Sequence, residues 1–133
     1  MEEWSFFLIR GIAMNIELID KVFKEYVNSF DMSDKNINLK YEHTLEVVKI
    51  TEKISNKLNL NEEDTTLAKT IAYLHDIGRF EQVIKTNTFK DTKMDHANNG
   101  ADLLFNRGLV DKFNIDKKYY EVIEKSIRNH NKL

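Results

Sequence analysis

Residues 67–79 read Leu67-Ala68-Lys69-Thr70-Ile71-Ala72-Tyr73-Leu74-His75-Asp76-Ile77-Gly78-Arg79. Small and apolar side chains at Ala68, Ile71 and Ala72, followed by His75, repeat at three- and four-residue spacing, the period of one helix face. The stretch ends on a histidine and a carboxylate inside an otherwise apolar run. A buried carboxylate without compensation costs several kcal/mol. Asp76 therefore needs a cation, a strong set of hydrogen bonds or a metal ion. Arg79, three residues on, is the plain structural answer, as an ion pair on the same helix edge.

The rest of the chain supplies a second answer. It holds 4 histidines, and each sits on its own helical pattern. His43 lies above Val47, Ile50 and Ile54; His75 follows Ala68, Ile71 and Ala72. His96 precedes Gly100 and Leu103; His130 follows Ile123 and Ile127. All are expected to face the core. Convergence of imidazoles from separate helices on one carboxylate is the pattern of a metal centre. Imidazole with carboxylate suits Mn, Fe, Co, Ni or Zn, whereas oxygen ligands alone suit Mg or Ca. A carboxylate has two oxygens, so Asp76 can serve one or two ions.

Working outward, the apolar spacing of Ile16, Ile19, Val22, Phe23, Tyr26 and Phe30 predicts a first helix. Asp31 to Asn36 reads as a polar turn, and a second helix is expected from about Tyr41 to Leu58. Asn61 with Asp64 resembles a capping box opening a third, which runs to near Gly78. Arg79 to Ile84 reads as a short helix and Thr86 to Lys93 as a polar loop. A further helix is expected from Asp95 to Asn106, closed by Gly108, and a last one from an Asp116 cap to about Asn129. No strand-like alternation runs longer than a few residues. The expectation is an all-α, compact helical bundle with the metal site between helices.

Composition agrees. In 133 residues, 41% are hydrophobic and 32% charged, with no proline and only 4 glycines. One domain with a packed core follows. A net charge of −2 gives no bulk attraction for nucleic acid or an anionic membrane. The absence of cysteine excludes disulfides and thiolate metal sites. No apolar run approaches the roughly 18 residues of a membrane helix, and a cytoplasmic protein is expected. Residues 1–13 read as an N-terminal extension before Met14, with Trp4, Phe6 and Phe7 as an oligomer contact or a disordered tail.

His43, the pair His75-Asp76 and the string Leu74-His75-Asp76-Ile77-Gly78-Arg79 together resemble the HD-domain superfamily of metal-dependent phosphohydrolases, from about Tyr41 to the end. The resemblance implies a primary ion on His43, His75 and Asp76, and a second on Asp76, His96 and His130. It implies hydrolysis of a phosphate ester of a nucleotide or related metabolite by metal-activated water, with Asp76 and Arg79 as catalytic residues. The implied partner is a small phosphorylated molecule, with no nucleic-acid polymer and no membrane; an oligomer is compatible. Arg79 is a candidate phosphate clamp, Asp95 a candidate for orienting His96 or capping its helix, and Lys85, Lys90 and Lys93 a candidate lid. The family's closing Asp normally follows the region of His130, whereas this chain ends at Leu133. The domain over 14–133 is therefore expected to be C-terminally incomplete, and the alternative is a catalytically silent metal- or nucleotide-binding regulatory module. Branches that degrade cyclic dinucleotides carry a Gly-Tyr-Pro motif that this chain lacks. Alarmone hydrolases place acids soon after the pair, where Glu81 is the nearest here.

Overall fold

The computed structural model describes residues 14–131; the extension expected over residues 1–13 lies outside them. Among the described residues every regular element is helical. The helices are α1 (Ile16–Asn28), α2 (Lys35–Lys57), α3 (Glu62–Leu74), α4 (Gly78–Thr86), α5 (His96–Ala101) and α6 (Tyr120–Asn129). The all-α bundle expected from the sequence is the one observed. No helix among the described residues is long and apolar enough to cross a membrane.

Side-chain caps set most of the helix starts. Asn15 accepts from the amides of Glu17 and Leu18 to begin α1, and Asn61 accepts from Asp64 N to begin α3. Asp34 accepts from Asn36 N and Ile37 N, so α2 starts at Lys35 and not near Tyr41. The polar stretch 31–36 is thus turn over 31–34 and helix from Lys35. That cap adds Lys40 to the same helix as His43. Past α5 the chain takes a π-helical turn over Asp102–Asn106, and Gly108 at φ +86 reverses it. Short 3-10 turns at Leu109–Phe113 and Lys117–Tyr119 lead into α6, the second capped by Asp116. The cap expected for the last helix serves this turn instead.

The core lies between α1, α3 and α4 on one side and α6 with the 3-10 turns on the other. Phe23, Phe80, Phe113, Leu74, Ile77, Leu104, Ile123 and Ile127 are fully buried. Each such side chain contributes about 1.5–3 kcal/mol of transfer free energy. Aromatic rings from three helices meet there: Phe23 lies 5.6 Å from Tyr73 and 6.2 Å from Phe80.

Gly78 was expected as a helix stop. It is instead the first residue of α4, at the point where α4 touches α5. A Cβ on Gly78 would stand 2.2 Å from His96 O and 2.6 Å from Gly100 N. Only glycine allows that approach, and the approach carries His96 toward Asp76.

Candidate metal centre

Three helix ends and one helix middle build the centre. His75 is the C-cap of α3 and His130 the C-cap of α6. Asp76 follows His75 in the turn between α3 and α4. His96 opens α5, and His43 lies within α2. Two helices therefore direct the negative ends of their dipoles at one point, which favours a cation there.

All four histidines surround one buried carboxylate. Asp76 Oδ1 lies 3.2 Å from His130 Nε2 and 3.3 Å from His96 Nε2. Asp76 Oδ2 lies 3.3 Å from His75 Nε2 and 3.7 Å from His43 Nε2. The donor atoms fall into two clusters sharing Asp76: His43, His75, Asp76 and Asp76, His96, His130, each within 4.8 Å. These are the groupings expected from the sequence.

Bonds on the far side of the rings fix their tautomers. His75 Nδ1 is 2.6 Å from Ala72 O, and His130 Nδ1 is 2.6 Å from Ile127 O. His96 Nδ1 is 2.8 Å from Asp91 Oδ1. Carbonyls and carboxylates only accept, so each Nδ1 carries the proton and donates. In the neutral ring each Nε2 then presents a lone pair inward, toward the oxygens of Asp76. His96 Nε2 and His130 Nε2 are only 2.9 Å apart. Lone pairs facing one another at that distance repel unless a cation lies between them. The donor set therefore fits a divalent transition metal, with carbonyls and Asp91 as the outer layer that orients ligating imidazoles.

In the protein without an ion, protons take that part. Burial disfavours ionised Asp76, but hydrogen bonds from His130, His75 and His96 outweigh it and hold the carboxyl far below its usual range. The bond to Asp76 raises the pKa of His130. His43 moves the other way, lowered by burial and by the neighbouring Lys40 charge against the pull of Asp76.

Not every expectation about faces holds. His96 is buried, and His75 and His130 are largely so, but the His43 side chain is 47% exposed. Ile50 and Ile54 beneath it are exposed as well. The buried face of α2 is instead Ile37, Thr44, Val48 and Ser55, set against α3. His43 stands at the margin of that face, where it reaches Asp76 and also meets solvent. Asp95 does not orient His96; it caps α5 through Ala97 N and Asn98 N. Asp91 orients the ring, from the loop before α5. Asp91, Asp95 and His96 also lie within 4.8 Å of one another, but Asp95 is taken up by the cap and Asp91 Oδ1 by the His96 ring, His96 N and Gln82.

Arg79 turns inward. Its Nη1 donates to Gln82 Oε1 and Phe89 O, and its Nε is 4.0 Å from Asp76 Oδ1. Buried Gln82 donates in turn to Lys90 O, Asp91 Oδ1 and Met94 O, binding the 87–95 loop to α4. Lys85, Lys90 and Lys93, the candidate lid, are exposed. Sequence reasoning missed Gln82, Asp91 and Lys40. Lys40 had a signal, one turn before His43 on the same face. The bond from Asp91 to His96 crosses a loop and had none.

A helical domain whose helix ends converge imidazoles on one shared carboxylate defines a class of metal-binding proteins. The HD domain family matches residues 41–133, and the chain belongs to that family, whose members are broadly metal-dependent phosphohydrolases. It is also similar to ribonuclease Y of Mycoplasmoides gallisepticum, 28% identical over 126 residues. That match covers 87% of this chain and 21% of the relative, so the chain spans about a fifth of that protein's length. No solved structure matches the chain.

Proposed function

We propose that this chain is a metal-dependent phosphohydrolase acting on the phosphate ester of a nucleotide or related metabolite. The observation that carries the reading is the set of inward Nε2 lone pairs around Asp76, held by outward Nδ1 bonds to Ala72 O, Ile127 O and Asp91. One cationic partner would be enough to satisfy Asp76 in a plain core, whereas three imidazoles with aimed Nε2 atoms suit an ion. His43, His75 and Asp76 would hold a first ion of Mn, Fe, Co, Ni or Zn, and Asp76, His96 and His130 a second. When bound, such an ion supplies a Lewis acid that polarises a phosphoryl oxygen and lowers the pKa of water. The chain's own residues orient and shield. Asp76 spans the two clusters with separate oxygens, Asp91 fixes the His96 ring, and Gln82 with Arg79 holds the loop that carries Asp91. The exposed edge of His43 leaves one side open to a small substrate.

The ribonuclease Y likeness supports including an RNA phosphodiester among candidate substrates. The test loads the protein with Mn, Co or Ni, measures bound metal, and assays phosphomonoesters, nucleotides and a short RNA. Metal uptake with turnover of one class is the expected result. Uptake and nucleotide-induced thermal stabilisation without turnover would favour the regulatory-module reading, and absence of uptake would remove both.

A further inference from the structure

Lys40 stands at this centre with no hydrogen-bond partner for its ammonium among the described residues. The Asp34 cap starts α2 early enough to place Lys40 one turn before His43, on the same face. Its Nζ is 3.9 Å from Asp76 Oδ2, too long for a hydrogen bond, and its side chain is 19% exposed. The ammonium also lies 5.1 Å from the centre of the Phe89 ring, and the Arg79 guanidinium carbon lies 5.7 Å from it. Phe89 thus packs near both cations, and the two are used differently. Arg79 Nη1 is held by Gln82 Oε1 and Phe89 O and lies 3.6 Å from Asp91 Oδ1, and its Nε, 4.0 Å from Asp76 Oδ1, is buried in the protein without a partner and not turned to the open side. Lys40 has only the distant Asp76 oxygen.

That oxygen belongs to the first metal cluster. With an ion seated there, the charge of Asp76 is committed to the ion. A mostly buried ammonium then faces a dication with no counter-charge, which is unfavourable in a poorly solvated site. An anion arriving on the open side of His43 relieves both charges at once. Phosphate has enough oxygens to reach an ion and an ammonium together, and lysine presents three rotatable donors on a flexible stem. Resting on the reading above, we infer that Lys40 is a substrate-binding residue that contacts the phosphate of the bound ester. The clamp role considered for Arg79 passes to it, and Arg79 positions the loop.

The test compares wild type with Lys40→Met and Lys40→Arg, using Mn(II) alone and inorganic phosphate as probes. Metal affinity is measured by competition with a chelating dye. Phosphate affinity is then measured calorimetrically on the metal-loaded proteins. Lys40→Met should take up Mn(II) at least as tightly as wild type, because a competing cation is gone. Its phosphate affinity should fall about tenfold, the size of one charge-assisted contact, and Lys40→Arg should recover most of that loss. Unchanged phosphate affinity in Lys40→Met overturns the inference and leaves the metal-centre reading standing. So does metal affinity that falls along with phosphate affinity, which would make Lys40 a structural support. A metal-loaded wild type that binds no phosphate also overturns it. A wild type that takes up no metal overturns both readings together.

Discussion

Each imidazole of known tautomer in the centre is aimed by a bond on its far side, so single substitutions there should separate metal binding from folding. His96→Gln removes one ligand of the second cluster and leaves the first intact; bound metal, counted by elemental analysis, should fall from two ions per chain to one. Asp76→Asn removes the shared carboxylate and should abolish uptake at both. Acidity gives a second handle through His130. Its folded pKa is raised by Asp76, so protonated His130 stabilises the metal-free protein fully below the unfolded value of about 6.5. That contribution is lost as pH rises through the folded pKa. Metal affinity must run the opposite way, rising with pH as the proton is displaced. Urea titrations of metal-free protein across that window should show stability declining with pH, and a flat profile would contradict the assignment. The Asp91 carboxyl, disfavoured by burial but held down to about 2 by its bonds from His96, remains charged throughout.

At the scale of elements, the α4–α5 crossing and the loop between those helices decide where His96 points. Gly78→Ala drives a methyl into His96 O, and overpacking against backbone should cost about 3 kcal/mol, read as a lower denaturant midpoint together with weakened metal uptake. Gln82→Leu keeps the volume but orphans Lys90 O and Met94 O and takes from Arg79 Nη1 one of its two acceptors, leaving Phe89 O. That should cost about 3 kcal/mol and accelerate amide exchange over residues 90–96, while α1 and α2 keep their protection. Helix existence and the grouping of histidines were readable from spacing, because apolar periodicity and the His-Asp pair are local signals. The Asp34 cap moved α2 by six residues relative to the expected Tyr41 start, since a short polar run reads equally as turn or first helical turn. Asp91 was unreadable, because a loop residue's partner depends on how the loop folds back. His43 was misread as core, because an apolar stripe does not say which of two candidate faces the neighbouring helix covers.

For the molecule as a whole, ligands that converge only in the folded state make metal a stabiliser of that state. A metal present at about a hundred times its dissociation constant adds roughly 2.7 kcal/mol, and the melting temperature should rise by roughly 10 °C. Chelator should return it to the metal-free value, and His75→Gln should blunt the shift. There is also a topological consequence. His43, His75 and Asp76 precede the 87–95 loop, while His96 and His130 follow it. Ions held by the two clusters would therefore act as a cross-link between the two halves of the chain, closing a long loop of the kind whose closure most restricts an unfolded chain. A protease cut within that loop should leave the metal-loaded halves travelling together on a sizing column, and chelation should let them part.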